Sequence, residues 1–254
     1  MEIGLLAMII TFVVCMVLGV PMLAIIGMST LVPMLIERSI PLTLIPQTMY
    51  NGVNQFPLVA VTGFLLAGSL MEETGINDSI IRFARSLVGS ITGGFAAITV
   101  LASMFFAALS GSGPATTAAV GSVMIPAMKR HNYPEDFAAS TAAAGGTLGI
   151  LIPPSNPMII YAIVANISVT RMFMAGFIPG LLGGVLLIAT AYLISKIRNF
   201  VGSGEKFSLA EVFSAVRKGI FALLAPVIIL GGIYGGIFTP TEAAVVAVFY
   251  ALFV

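Results

Sequence analysis

Between Arg85 and Lys129 the chain runs for 43 residues without a charged side chain, and Ser110-Gly-Ser-Gly-Pro-Ala-Thr-Thr117 lies in the middle of that run. A membrane-crossing helix takes about 20 apolar residues, so the run is too long for one crossing and is interrupted where a second would begin. Residues 3–36, 39–71, 137–170, 172–195 and 219–241 are also free of charge. Only 8% of the 254 residues are charged and 59% are hydrophobic, whereas a soluble domain carries about 25% charged residues. The solvent of this chain is therefore mostly lipid. A soluble enzyme and a disordered chain are excluded. A net charge of +1 leaves no cationic surplus to neutralise phosphates, which excludes a nucleic-acid binder. The one cysteine, Cys15, sits among Val13, Val14 and Met16 and reads as a packing residue. No His/Cys cluster with the spacing of a transition-metal site occurs.

Residues 172–195 read as one continuous span, flanked by Arg171 and by Lys196 and Arg198. Residues 219–238 read as another, softened by Gly231, Gly232, Gly235 and Gly236. The stretches 3–36 and 137–170 have 34 residues each, too long for one straight helix and awkward for two. Broken helices and re-entrant hairpins produce such lengths. Residues 243–254 are too short to cross and stop in mid-pattern, as a cut sequence would. Met1-Glu2 leads directly into apolar sequence, with no basic region that would mark a secretory signal.

The excess of Lys and Arg on the cytoplasmic side sets the orientation. Arg82 and Arg85 precede the 43-residue run, and Lys129 and Arg130 follow it, so both ends are expected inside and the run enters and returns. Residues 137–170 then leave Arg171 outside, and 172–195 come back to Lys196 and Arg198. Residues 199–218, with Lys206, Arg217 and Lys218, form a cytoplasmic connector in which Ser208-Leu-Ala-Glu211 is a capping box opening a short amphipathic helix. Nine of the eleven basic residues fall inside on this reading.

Irregular backbone survives at membrane depth only inside protein or beside a wet cavity. Two places force it. At Ser110–Gly113 the chain is expected to turn, with Ser112 or Gly113 at the N-cap and Pro114 at the first helical position. The tip would present the hydroxyls of Ser110, Ser112, Thr116 and Thr117 at mid-membrane. At Gly145-Gly-Thr-Leu-Gly-Ile-Leu-Ile-Pro-Pro-Ser-Asn-Pro157 three prolines remove three donors. The arriving helix should end near residues 150–152 and a new one start near Pro157, capped by Ser155 or Asn156. Carbonyls at the end of the first half suit a sodium ion, and amides at the start of the second suit an anion. Such discontinuous helices mark binding sites of secondary transporters.

Small residues in membrane helices also serve plain close packing, and isolated glycines such as Gly121 and Gly183 read that way. Thr239-Pro-Thr-Glu242 reads as a capped helix start, with Glu242 otherwise a cation or proton group, and His131 reads as a loop residue. A channel would want polar side chains along a helix face. An intramembrane serine protease would use Ser110 or Ser112 but finds no general base in any span. A purely structural subunit has no need of two helix breaks.

The stretch Phe105-Phe-Ala-Ala-Leu-Ser-Gly-Ser-Gly-Pro-Ala-Thr-Thr-Ala-Ala-Val-Gly-Ser-Val-Met-Ile-Pro-Ala-Met-Lys-Arg130 closely resembles the first hairpin of the large membrane subunit of TRAP (tripartite ATP-independent periplasmic) transporters. Residues 137–157, ending Ile152-Pro-Pro-Ser-Asn-Pro157, look like the broken helix that follows. Phe177-Ile-Pro-Gly-Leu-Leu182 and Phe238-Thr-Pro-Thr-Glu-Ala-Ala244 match in type and order. The resemblance implies an all-α polytopic protein of the bacterial inner membrane, an inverted-repeat elevator-type secondary transporter and not an enzyme. It implies uptake of an organic acid anion with Na+ and without ATP. A periplasmic substrate-binding protein would deliver the solute, and a small four-helix membrane subunit would brace the scaffold within the bilayer. Carried over residue by residue, sodium binding is expected at Ser110, Ser112, Gly145, Gly149 and Pro153. Substrate binding is expected at Ser112, Thr116, Thr117, Ser155 and Asn156.

The same resemblance divides the chain into N-terminal scaffold helices (1–85) and half of a transport domain (86–170). That half comprises a re-entrant hairpin (86–128) and a broken helix (137–170). A transmembrane helix (171–198), a connector (199–218) and the start of a second repeat (219–254) follow. The second repeat has only begun by Glu242, so half of the expected site lies outside these residues. Many members carry an acidic hairpin tip where this one reads Gly-Pro-Ala-Thr116, which leaves C4-dicarboxylates and sialic acid both open. Elevator motion would carry the hairpin and broken helix as one body, packed through Gly93, Gly94, Gly145, Gly146 and Gly149. The connector would hinge at Gly202 and Gly204.

Overall fold

A computed structural model describes residues 2–37, 41–200, 202 and 207–253. Every regular element among them is an α-helix. The chain divides into two compact units, Met1–Asn54 and Gln55–Val254.

The first unit holds α1 (Glu2–Val17), α2 (Met22–Glu37) and α3 (Leu44–Val53). The long apolar stretch at 3–36 is thus two helices of 16 residues, each about 24 Å long. Gly19, at φ +70°, makes the turn between them in a conformation that disfavours any residue with a Cβ. The Gly4 amide donates to the Glu37 carboxylate at 3.2 Å, so the start of α1 meets the end of α2. A carboxylate at a helix N-terminus offsets the positive end of the dipole. Pro33 lies within α2. Large apolar side chains such as Leu5, Leu6, Leu23 and Ile26 are exposed, as expected where lipid is the neighbour.

The second unit runs α4 (Leu58–Glu73), α5 (Ile76–Val88), α6 (Gly94–Ser110), α7 (Gly113–Arg130), α8 (Glu135–Gly146) and α9 (Leu148–Leu151). It continues through α10 (Asn156–Val164), α11 (Val169–Ile197), α12 (Leu209–Lys218), α13 (Ile220–Tyr234) and α14 (Pro240–Phe253). Among the described residues of this unit, only α11, with 29 residues, is long and apolar enough to cross a membrane alone. The pair α8–α9 with α10, bent by 41°, and the pair α12 with α13, bent by 72°, reach that length only together. The span expected over 219–238 is therefore shorter than its composition suggested. α13 has 15 residues and stops at Gly235 and Gly236, the latter at φ +70°.

Two packed clusters organise the unit. Ile80, Phe106, Leu109, Met124 and Met128 join α5, α6 and α7 at the hairpin. Phe64, Ile159, Phe173, Ile229 and Ile233 join α4, α10, α11 and α13, with Ala243, Ala244 and Ala247 of α14. Lipid tails are as apolar as these side chains, so dispersion from close packing holds the helices together. Gly63 of α4 shows how close: a Cβ there would stand 2.8 Å from the Ala244 Cβ.

At the basic end of the hairpin, aromatic rings tie three segments. Phe200 stands 4.9 Å from Tyr133 and 5.2 Å from Phe137, between ring centroids. Phe95 lies against His131 at 4.0 Å, and His131 Nδ1 is 2.9 Å from the Ala127 carbonyl. Burial among these rings pushes the Tyr133 hydroxyl up to about 12. Gly202, expected as a hinge, is instead pressed against the Ile91 carbonyl with no room for a Cβ. Gly204, the other expected hinge, and Lys206 lie outside the described residues. The capping box at Ser208 is also unmade: Ser208 holds the N-cap position of α12, but its hydroxyl makes no capping bond.

Candidate functional site

The turn between α6 and α7 consists of two residues. Gly111, at φ +59°, ends α6, and its amide returns to the Ala107 carbonyl at 3.0 Å. Ser112 is extended and N-caps α7, its hydroxyl accepting from the Ala115 amide at 3.4 Å. Gly113 is the first helical residue and Pro114 the second, where the missing amide costs nothing. Helices of 17 and 18 residues put this turn about 25 Å from the basic ends.

The hydroxyls of the tip are turned inward. Ser110 and Thr116 are buried with their oxygens 3.1 Å apart. Thr116 also donates to the Ser112 carbonyl at 2.8 Å, and the Ser112 amide donates to the Ser110 hydroxyl at 3.4 Å. Thr117 donates to the Gly113 carbonyl at 3.0 Å.

The break in the next span follows α9. Pro153 and Pro154 offer no amides, and the Ser155 hydroxyl donates across the gap to the Ile150 carbonyl at 2.9 Å. Ser155 occupies the N-cap position of α10 but makes no side-chain cap bond there. α8 and α9 together run Glu135–Leu151, about 25 Å, whereas α10 has 9 residues, about 13 Å. The break thus divides its span unequally and reaches the depth of the hairpin turn.

Turn and break interlock. The Asn156 amide donates to the Gly111 carbonyl at 3.0 Å. The Asn156 side chain donates through Nδ2 to the Ser110 carbonyl at 3.5 Å. A Cβ on Gly111 would stand 2.6 Å from the Pro154 carbonyl oxygen, and one on Gly149 would stand 2.6 Å from that of Ser112. Both glycines are therefore demanded by close backbone approach. The Asn156 Oδ1 is buried here without a hydrogen-bond partner. A buried unpaired acceptor costs about 1–3 kcal/mol, so it calls for a donor or a cation.

Of the residues expected to bind sodium or substrate, Ser110, Ser112, Thr116, Gly149, Ser155 and Asn156 come together at this junction, with Pro153 buried in the break. Gly145 does not: it lies one helical turn away against Ser103 of α6, 2.7 Å from the hydroxyl by a built Cβ. The Thr117 hydroxyl faces the backbone of Gly146. The sequence reading passed over Gly111 and Gly113 as site residues, although they frame Ser112. It also passed over Gly68 of α4, whose Cβ would meet the Ser110 Cα at 2.9 Å. The sequence signal for Gly68 is only a glycine in an apolar helix. Electrostatically, the carbonyl ends of α6 and α9 and the amide ends of α7 and α10 converge, offering both partial charges in one place.

Comparison with known proteins identifies the family. A sequence model of the tripartite ATP-independent periplasmic transporter, DctM component, matches residues 9–254. The C4-dicarboxylate TRAP transporter large permease protein of Vibrio cholerae is 44% identical over 94% of this chain and 53% of its own length. The sialic acid TRAP transporter large permease protein of the same organism is 41% identical over 87% of this chain and 51% of its own length. The isethionate TRAP transporter permease protein of Oleidesulfovibrio alaskensis is 42% identical over 96% of this chain and 38% of its own length. The chain thus spans about half the length of the relatives it matches, or less. With the family model matched over residues 9–254 and relatives at 41–44% identity along most of its length, the chain belongs to the DctM component family of TRAP transporter large permeases.

Proposed function

We propose that the interlocked turn and break form half of a binding site for Na+ and an organic acid anion in a secondary uptake system. The observation that carries this reading is the unpaired Asn156 Oδ1, buried where carbonyl and amide helix ends meet. Oxygens of the Ser110 and Ser112 hydroxyls, the Asn156 amide and the nearby backbone are neutral and hard, which fits an alkali cation. Sodium there would screen the carbonyl ends and add attraction for a carboxylate lying toward the amide ends of α7 and α10. Thr116, Thr117 and Ser155 hold the backbone of this junction in place. Pro153 keeps an amide out of it.

The relatives' names give C4-dicarboxylate, sialic acid, isethionate and 2,3-diketo-L-gulonate. All four are small organic anions, so the class is carried over and the individual solute is the variable to test. A periplasmic binding protein as donor, a small four-helix membrane subunit as brace, the bacterial inner membrane as location and an elevator motion complete the proposal.

The test is solute uptake by proteoliposomes carrying the transporter, with and without a sodium gradient and with the binding protein supplied. Uptake should require both. In Asn156→Ala the sodium concentration for half-maximal uptake should rise about tenfold, the loss of one ligand worth about 1–2 kcal/mol. Unchanged sodium dependence in Asn156→Ala, Ser110→Ala and Ser112→Ala together would remove the side chains from the site.

A further inference from the structure

The paired helices α5 and α12, remote from the turn and break, carry a feature that uptake does not use. α12 bends by 72° into α13, whose residues are uniformly apolar. If α13 follows the membrane normal, α12 lies close to the membrane plane. α12 turns Val212, Ala215 and Val216 inward and packs against α5. Beside that face, Leu209 and Phe213 form a ridge one helical turn apart, 75% and 72% exposed. Arg217 continues the same ridge by one more turn, and Lys218 follows it.

Two shallow clefts meet at Ser214. One, of about 250 Å³, is lined by Arg82, Arg85 and Ser86 of α5 and by Glu211 of α12. The other, of about 360 Å³, runs along Phe213, Ser214, Arg217 and Lys218. Arg82 and Arg85 thus share the first cleft with one carboxylate, and Arg217 and Lys218 line the second, at the edge of an apolar ridge. An interfacial helix buries its apolar ridge at the acyl boundary, and its Lys and Arg reach up to the headgroups.

We propose that α5 and α12 form a docking platform for anionic phospholipid headgroups of the cytoplasmic leaflet, with Arg82, Arg217 and Lys218 as the phosphate-facing cations. Charge complementarity selects the lipid, and the Leu209–Phe213 ridge sets the depth. A platform of this kind fixes the level of the connector in the membrane.

These 254 residues contain no tryptophan, so Phe213→Trp introduces an indole at the ridge, read as the difference from the protein without that substitution. The protein is placed in nanodiscs of phosphatidylcholine and phosphatidylglycerol, with bromine on the acyl chains of one lipid at a time. Per mole of bromolipid, phosphatidylglycerol should quench the indole about twofold or more above phosphatidylcholine. Adding Arg82→Gln, Arg217→Gln and Lys218→Gln should bring that ratio to one, as should about 0.5 M salt through screening. These three side chains are exposed, so the α5–α12 packing survives their neutralisation, and an unchanged helical circular dichroism spectrum checks it. Equal quenching by the two lipids, or a ratio indifferent to neutralisation, overturns the proposal. Absence of quenching by either lipid also overturns it and shows protein covering the ridge.

Discussion

Gly149 and Gly111 sit where two backbones approach within a distance that excludes even a methyl group. Gly149→Ala would set a Cβ 2.6 Å from the Ser112 carbonyl, so turn and break must separate. The expected cost is about 1–3 kcal/mol, as for other overpacked positions. It should appear as a lower melting temperature in detergent and lost uptake. Gly183, with its nearest built-Cβ contact at 3.5 Å, should accept Ala with little change in either. The sequence made the turn legible because its signals are local: a left-handed glycine, a capping serine and a proline fall within four residues. It also separated Gly149, inside the Gly145–Pro157 break motif, from Gly183, which it read as a packing glycine. It could not show that the close approach at Gly149 is to the Ser112 backbone, because only the other segment's position reveals that. Asn156 was read as a substrate contact, whereas its unpaired oxygen arises from its packing against Ser110 and Gly111, which no spacing reveals.

At the scale of helices, ends were easier to foresee than lengths or pivots. Thr239 and Glu242 make the reciprocal capping box that their spacing announced: the Thr239 amide reaches the Glu242 carboxylate at 2.8 Å, and the Glu242 amide reaches the Thr239 hydroxyl at 3.3 Å. Ser208 and Glu211 have the same spacing but no such bond through the serine, because a motif offers a cap without compelling it. Gly202 is expected to flex, and its close approach to Ile91 adds a packing role that composition does not show. The Phe200 ring beside it holds the start of the connector to the hairpin base. Phe200→Ala should therefore lower stability by about 1–3 kcal/mol, less than for a fully buried ring. It should also let water reach Tyr133. Since burial is what raises that hydroxyl to about 12, the change should bring it down toward 10. The difference in ultraviolet phenolate titration between Phe200→Ala and Phe200→Ala/Tyr133→Phe isolates the one tyrosine. A Tyr133 titration unmoved by the loss of Phe200 would mean that the other rings alone shield it.

For the molecule as a whole, the proposed elevator requires the hairpin and the broken helix to travel as one body. The interlock supplies the physical basis: two hydrogen bonds from Asn156, backbone approach at Gly111 and Gly149, and the Gly145–Ser103 contact lower down. Separating the two elements would expose the Asn156 amide and the Ser110 and Gly111 carbonyls to an environment without water, each at the cost of a buried unpaired group. Sliding the pair together exposes none of them. Cysteine pairs distinguish the motions, with Cys15 first replaced by serine so that the introduced thiols are alone. A pair across the interlock, Ser112→Cys with Ile150→Cys, should crosslink equally in inward- and outward-facing states. Pairs joining residues 86–128 to the static scaffold should fall into two sets, each crosslinking in one state only. If the interlock pair is the one that changes while every other pair keeps a single distance, the turn opens as a local gate and the two elements do not move as a unit.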